Sequence, residues 1–181
     1  WWMLGAALMI GLAMIFDGLD GSLARAKGEV TRWGDYLDHT IDRILDSTWV
    51  VCLSASVFVN DLALGFAAAL LTLLGSYMGT QAQAVAGTRN YRGFSRADRT
   101  VLTLLSLVIM GVMLLMGLST STAFPGPFDH INVNPLSIVV FISALGGIWT
   151  FFVRFKQAQG DIQAIDKADP LPQPAAKKQD E

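Results

Sequence analysis

Between Asp17 and Asp42 the chain sets four aspartates, two glycines, an alanine and an arginine at fixed intervals: Asp17-x-x-Asp20-Gly21-x-x-Ala24-Arg25, then Gly34-x-x-x-Asp38-x-x-x-Asp42. On a helix of 3.6 residues per turn, Asp17, Asp20, Gly21 and Ala24 stand at i, i+3, i+4 and i+7 and share one face. Two carboxylates therefore border a strip almost without side chains. Gly34, Asp38 and Asp42 repeat at i, i+4 and i+8 on a second helix, across the short turn Ala26-Lys27-Gly28-Glu29, so two more carboxylates can face the first pair. Converging carboxylates repel one another, and at depth in a membrane each costs about 2.5–3.5 kcal/mol to insert, so cations must offset them. An all-oxygen set suits a hard divalent ion, Mg²⁺ or Mn²⁺, rather than zinc or copper. Two such ions bridged by carboxylates make a clamp for a pyrophosphate.

The elements that must hold these residues are membrane helices. Of 181 residues, 52% are hydrophobic and 15% charged, against about 25% charged in a soluble domain. The charges fall between long apolar runs, which define candidate spans over residues 1–15, 44–59, 62–86, 101–118 and 136–153. The expected fold class is all-α, a polytopic membrane helical bundle. If the five helices alternate direction, Arg25, Lys27, Arg32, Arg43, the arginines at 89, 92, 96 and 99, Arg154 and Lys156 all share one side, while Asn60-Asp61 and residues 119–134 on the other side carry no lysine or arginine. That asymmetry predicts a cytoplasmic face for the basic side, and for the aspartates with it.

The chain opens on Trp1-Trp2 on the opposite face, without an initiator methionine, and a further helix is expected upstream. Residues 1–157 read as one membrane domain and 158–181 as a polar, disordered tail, its end rich in Pro170, Pro172, Pro174, Lys177 and Lys178. Cys52 lies in an apolar helix, where a packed thiol is expected rather than a redox role. Gly75-x-x-x-Gly79 and Gly146-Gly147 permit close helix packing, within the chain or between protomers.

The aspartate pattern resembles, without a gap, the signature of the CDP-alcohol phosphotransferase family. The resemblance implies six spans in the full-length protein, five of them here, and a reaction in which an alcohol attacks a CDP-lipid donor and releases CMP. Matched by motif position, Asp17, Asp20, Asp38 and Asp42 are metal ligands for two Mg²⁺ (or Mn²⁺) ions, and Asp42 is also the general base that takes the acceptor hydroxyl's proton. Gly21, Arg25, Thr31 and Gly34 fall at the CDP-lipid-binding positions. Gly21 and Gly34 leave backbone surface against which a nucleotide can lie, and Arg25 can reach its phosphates bidentately. A homodimer is a family expectation, and no nucleic-acid partner is expected.

The acceptor is less fixed. Arg96, Arg99 and Arg154 match arginines that bind the acceptor's phosphate in inositol-phosphate-using relatives, which predicts a phosphorylated alcohol such as inositol phosphate or glycerol phosphate. After Ser76-Tyr77, however, the chain reads Met78-Gly79-Thr80-Gln81-Ala82-Gln83, where those relatives commonly carry Lys or Arg. The stretch is closer to the archaeal branch, with CDP-archaeol in place of CDP-diacylglycerol. The alternatives are the same reaction with an unphosphorylated alcohol such as serine or inositol, and a membrane cation transporter. A transporter accounts for intramembrane carboxylates but favours acids at several depths on repeated segments, whereas these crowd one interface. Asp35 and Asp46, near the two extremes of the second aspartate face, are expected to be solvated or paired with arginine, and His39 to be interfacial.

Overall fold

The computed structural model describes residues 1–123 and 132–170. Five helices are present among them: α1 (Trp2–Lys27), α2 (Arg32–Ala55), α3 (Leu62–Ala86), α4 (Arg96–Leu115) and α5 (Pro135–Ala168). A two-residue antiparallel pair, β1 (Thr122–Ala123) with β2 (Asn132–Val133), precedes α5 and pairs Thr122 with Val133. The molecule is an all-α bundle. Four helices, α1, α3, α4 and α5, are long and apolar enough to cross a membrane. The expected span over residues 44–59 is helical through Ala55, but α2 as a whole does not reach that apolarity, because it carries Asp35, Asp38, Asp42, Arg43 and Asp46.

Four of the five helix starts carry a side-chain cap. The Thr31 hydroxyl accepts from the Gly34 N–H at 3.0 Å to open α2, and the Asp61 carboxylate accepts from the Leu64 N–H at 2.9 Å to open α3. Ser95 and Asp98 cap α4 reciprocally, as Asn134 and Ser137 cap α5 with Pro135 in its first turn; a cap of this kind contributes about 1 kcal/mol. Between α1 and α2 the chain reverses at Gly28, whose φ of 68° is the left-handed conformation that a side chain disfavours.

Helix α5 lies at the centre, packed on α2, α3 and α4, while α1 packs on α4. The α3–α5 contact is backbone on backbone. A Cβ placed on Gly147 would come within 2.7 Å of the Leu71 carbonyl carbon, and one on Gly75 within 3.1 Å of the Gly147 oxygen. The small-residue spacing therefore serves packing within the chain. The core is small, built on Val50, Leu53, Ala68, Met110, Leu136 and Val140. Leu8, Met9, Leu12, Ile15 and Phe16 on α1 are exposed to the surroundings, which in hydrocarbon costs nothing, since lipid tails solvate them as well as a core would. Helix α5 continues to Ala168, so residues 158–168, expected in a disordered tail, are helical: the alanines, glutamines and lysine there favour helix enough to carry it past Gly160 and the two aspartates. Residues 171–181 of that tail lie outside the described residues.

Candidate functional site

The carboxylates meet where α1, α2 and α4 come together at their polar ends. Asp42 is buried on α2, Asp38 one turn earlier is exposed, and Asp17 and Asp20 are exposed on α1. What joins α1 to α2 is a guanidinium from α4: Arg96 Nη1 lies 3.0 Å from Asp17 Oδ2 and 2.7 Å from Asp42 Oδ1. The capped start of α4 aims Arg96 here, because the Ser95–Asp98 box fixes the first turn from which it projects. Arg96 had been expected at an acceptor phosphate, and in this structure its charge is directed at the carboxylates.

Among the described residues, Asp38, His39 and Asp42 offer donor atoms within 4.8 Å of one another. His39 Nδ1 is buried without a hydrogen-bond partner and lies 3.6 Å from Asp38 Oδ2, while Nε2 is 3.5 Å from Asp35 Oδ1. An oxygen-dominated donor set with one unengaged ring nitrogen fits a hard divalent cation. Asp20 joins neither grouping; its carboxylate accepts from the adjacent Gly21 N–H. The expected quartet is thus present as an Asp38/Asp42 pair and an Asp17 tied to it through Arg96, with Asp20 apart.

Two cavities flank this junction. One of about 300 Å³ lies between α1 and α4 beside Asp17, lined by Ala13, Met14, Gly18, Trp49 and Arg96. The other, about 250 Å³, is walled by Arg43, Arg96, Arg99 and Arg154 together with Ser76 and Tyr91. Arg99 is held in its wall by a short hydrogen bond from Nη2 to Asp46 Oδ2 and by donation to the Phe94 carbonyl at 3.3 Å. Arg154 crosses from α5 to donate to the Arg92 carbonyl at 2.8 Å and the Gly75 carbonyl at 3.0 Å. It can do so because α3 presents glycine: a Cβ at Gly79 would lie 3.0 Å from Arg154 Nη1. The α3 segment that lacks a lysine or arginine of its own thus makes room for the guanidinium of α5.

Of the predicted acceptor residues, Arg99 and Arg154 share this second cavity, and Arg96 stands between both. Gly21, Arg25, Thr31 and Gly34 line neither. Arg25 folds back so that its guanidinium comes within 3.4 Å of a Cβ built on Gly21, and Thr31 serves as the α2 cap. Arg43 and the buried Asp46 are the groups that sequence reasoning underweighted. Asp46 is paired with Arg43, Arg96 and Arg99, as the arginine-paired reading anticipated. Its placement follows from the four-residue step beyond Asp42, which keeps it on the aspartate face one turn deeper. Leaving one member of such a buried charge pair without its partner costs about 3–5 kcal/mol.

Comparison with known proteins bears on the same region. Residues 1–149 match the family model described as CDP-alcohol phosphatidyltransferase. The chain is 29% identical over 158 residues to a phosphatidylinositol phosphate synthase of Cutibacterium acnes, covering 84% of this chain and 72% of that protein. It is 37% identical over 73 residues to an archaetidylinositol phosphate synthase of Pyrococcus horikoshii, covering 40% of this chain and 36% of that protein. To a phosphatidylinositol phosphate synthase of Mycolicibacterium smegmatis it is 27% identical over 175 residues, covering 94% and 71%. The chain thus spans little more than a third of the archaeal relative and about seven tenths of the bacterial ones. No solved structure matches it. With the aspartate pattern inside the matched segment and its acidic residues gathered at one end of a helical bundle, the chain belongs to the CDP-alcohol phosphatidyltransferase family.

Proposed function

We propose that the protein transfers a lipid-bearing phosphate from a CDP-lipid, CDP-diacylglycerol or CDP-archaeol, to inositol phosphate or a closely related phosphorylated alcohol, with release of CMP. The observation that carries the acceptor class is the arginine-walled cavity of about 250 Å³, one of whose walls, Arg96, pairs with Asp42 at 2.7 Å. Arg43 and Arg99 share one buried carboxylate behind the wall, Asp46, while Arg154 donates to backbone carbonyls, so the cavity holds an excess of positive charge that a phosphate would balance. Serine and free inositol leave that excess unanswered. The three relatives are named phosphatidylinositol phosphate or archaetidylinositol phosphate synthases, which supports the same reading.

In this reading Asp17, Asp20, Asp38 and Asp42, with His39 beside them, hold Mg²⁺ or Mn²⁺. The bound ions would neutralise the donor's pyrophosphate and polarise the phosphorus under attack. Asp42 accepts the proton of the acceptor hydroxyl as its oxygen bonds to the lipid-side phosphorus. The phosphoanhydride bond breaks, CMP carries away the electron pair, and the proton leaves Asp42 for water. Gly21, Arg25, Thr31 and Gly34 border the cytidine side of the donor, while the more apolar cavity beside Asp17 admits its lipid-proximal part. The gathering of basic residues at these helix ends supports a reaction on the cytoplasmic side, with the tails left in the bilayer.

The test is radiolabelled CMP release by the purified full-length protein in detergent–lipid micelles, with each CDP-lipid offered against inositol phosphate, glycerol phosphate, inositol and serine. Release that requires a divalent ion and a phosphorylated alcohol is expected. Release with serine or free inositol alone would sink the acceptor assignment, and cation flux in liposomes without CMP formation would sink the enzymatic one.

A further inference from the structure

Asp46 is the most enclosed charged side chain of the site, 3% exposed, and it lies outside the spaced aspartate signature. Its two oxygens are divided. Oδ2 takes the short hydrogen bond from Arg99 Nη2 and stands 3.4 Å from Arg43 Nη1, while Oδ1 stands 3.4 Å from Arg96 Nε. Arg99 and Arg43 both wall the cavity to which the phosphorylated acceptor is assigned. Apart from Asp46, Arg99 is held by one carbonyl at 3.3 Å and by the Phe94 ring, whose centroid is 6.0 Å from its guanidinium, and its Nε is buried without a partner. Asp46 is therefore the principal restraint on where that guanidinium points. Arg96 is held differently, since its contacts with Asp17 and Asp42 at 3.0 and 2.7 Å are shorter than its contact with Asp46.

We infer that Asp46 is a positioning residue for the anion cavity: it touches neither substrate nor reacting atoms, and it fixes Arg99, with Arg43 beside it, in the orientation that receives the acceptor's phosphate. The inference rests on the proposed acceptor class. It has a property that simple charge balance lacks. Asp46 is itself negative and close to the bound anion, so if it served only to balance charge, Asp46→Asn would tighten phosphate binding. As the restraint on Arg99, it loosens binding when its charge is removed.

The experiment measures binding of inorganic phosphate to the purified full-length protein by equilibrium dialysis, and of Mn²⁺ by electron paramagnetic resonance, in wild type and Asp46→Asn. The expected result is phosphate affinity lowered by at least about tenfold, the lower range for losing one charge-assisted hydrogen bond, with Mn²⁺ affinity within about twofold because the shorter Arg96 contacts persist. Phosphate binding that is unchanged or tighter overturns the inference, as does a wild type that binds no phosphate. If Asp46→Asn loses both ligands, the double variant Asp46→Asn/Arg99→Gln, which removes the buried charges together, decides. Phosphate binding equal to that of Arg99→Gln alone supports the inference, and weaker binding overturns it. CMP release by the wild type with inositol phosphate is followed separately. Its absence would remove the proposed reaction while the phosphate data still judge Asp46.

Discussion

Arg96 occupies the place between Asp17 and Asp42 where positive charge is needed, and this sets what individual substitutions should do. Arg96 pairs with Asp17 and Asp42, the carboxylates proposed to hold a divalent ion, so replacing it by Gln should raise Mn²⁺ affinity, read by paramagnetic resonance, by about three- to tenfold, the loss of a competing ion pair of roughly 1 kcal/mol. Asp42→Asn keeps the shape of the buried side chain and removes its basicity. CMP release should fall by about 10²–10⁴ with CDP-lipid binding retained, the range for loss of a general base. Arg154→Ala should raise the KM for a phosphorylated acceptor and leave that for the CDP-lipid unchanged, since its guanidinium reaches the second cavity and not the first. The aspartates were legible because spacing alone puts them on two helical faces. Arg43 and Asp46 were less so, because nothing local distinguishes a buried ion pair from a solvated one until α4 is packed against α2.

At the scale of elements, helix starts and stops could be read from Thr31, Asp61, Ser95, Asn134 and the glycines at 28 and 87, each a cap of known chemistry. Hydropathy was a poorer guide at α2, whose apolar half is legible as a span but whose charged half is the site, and at α5, whose polar end continues the helix. Composition reports whether a stretch can enter a bilayer, and says little about whether it stays helical beyond one. The α3–α5 contact tests how tightly the bundle is specified. Gly147→Val would drive two methyl groups into the Leu71–Thr72 backbone and should destabilise the protein by about 1–3 kcal/mol, lowering its unfolding midpoint in detergent. Gly160→Ala, at a position with nothing within 4 Å, should leave that midpoint unchanged or raise it slightly.

Among the described residues the lysines and arginines gather at the end of the bundle that holds the site's aspartates, so sidedness and function are one question. Single cysteines at Lys27, Arg89 or Lys156, in a Cys52→Ser background, should react with a membrane-impermeant maleimide only when added from the cytoplasmic side, and one at Ser119 only from the other. Labelling of all four from one side would contradict an alternating bundle. Pairing order could not be read from the sequence: equal apolar stripes do not say that α5 stands in the middle or that α1 meets α4, because close approach depends on where glycines on two distant segments coincide.

Helix α5, at 34 residues, is about 51 Å long, and a hydrocarbon layer is about 30 Å thick. Its Arg154 belongs to the level of the anion cavity, and from there to Ala168 the helix continues for about another 21 Å at 1.5 Å per residue. Most of that stretch is exposed, and it projects beyond Arg154 as a mast. A purification tag or fluorescent protein joined after Ala168 is held about 21 Å beyond Arg154, clear of the cavity to which the proposed acceptor is assigned. Fusions at that end should therefore turn over like the untagged protein, whereas a mast shortened by deleting residues 158–168 would bring the same cargo down onto the opening and slow acceptor entry.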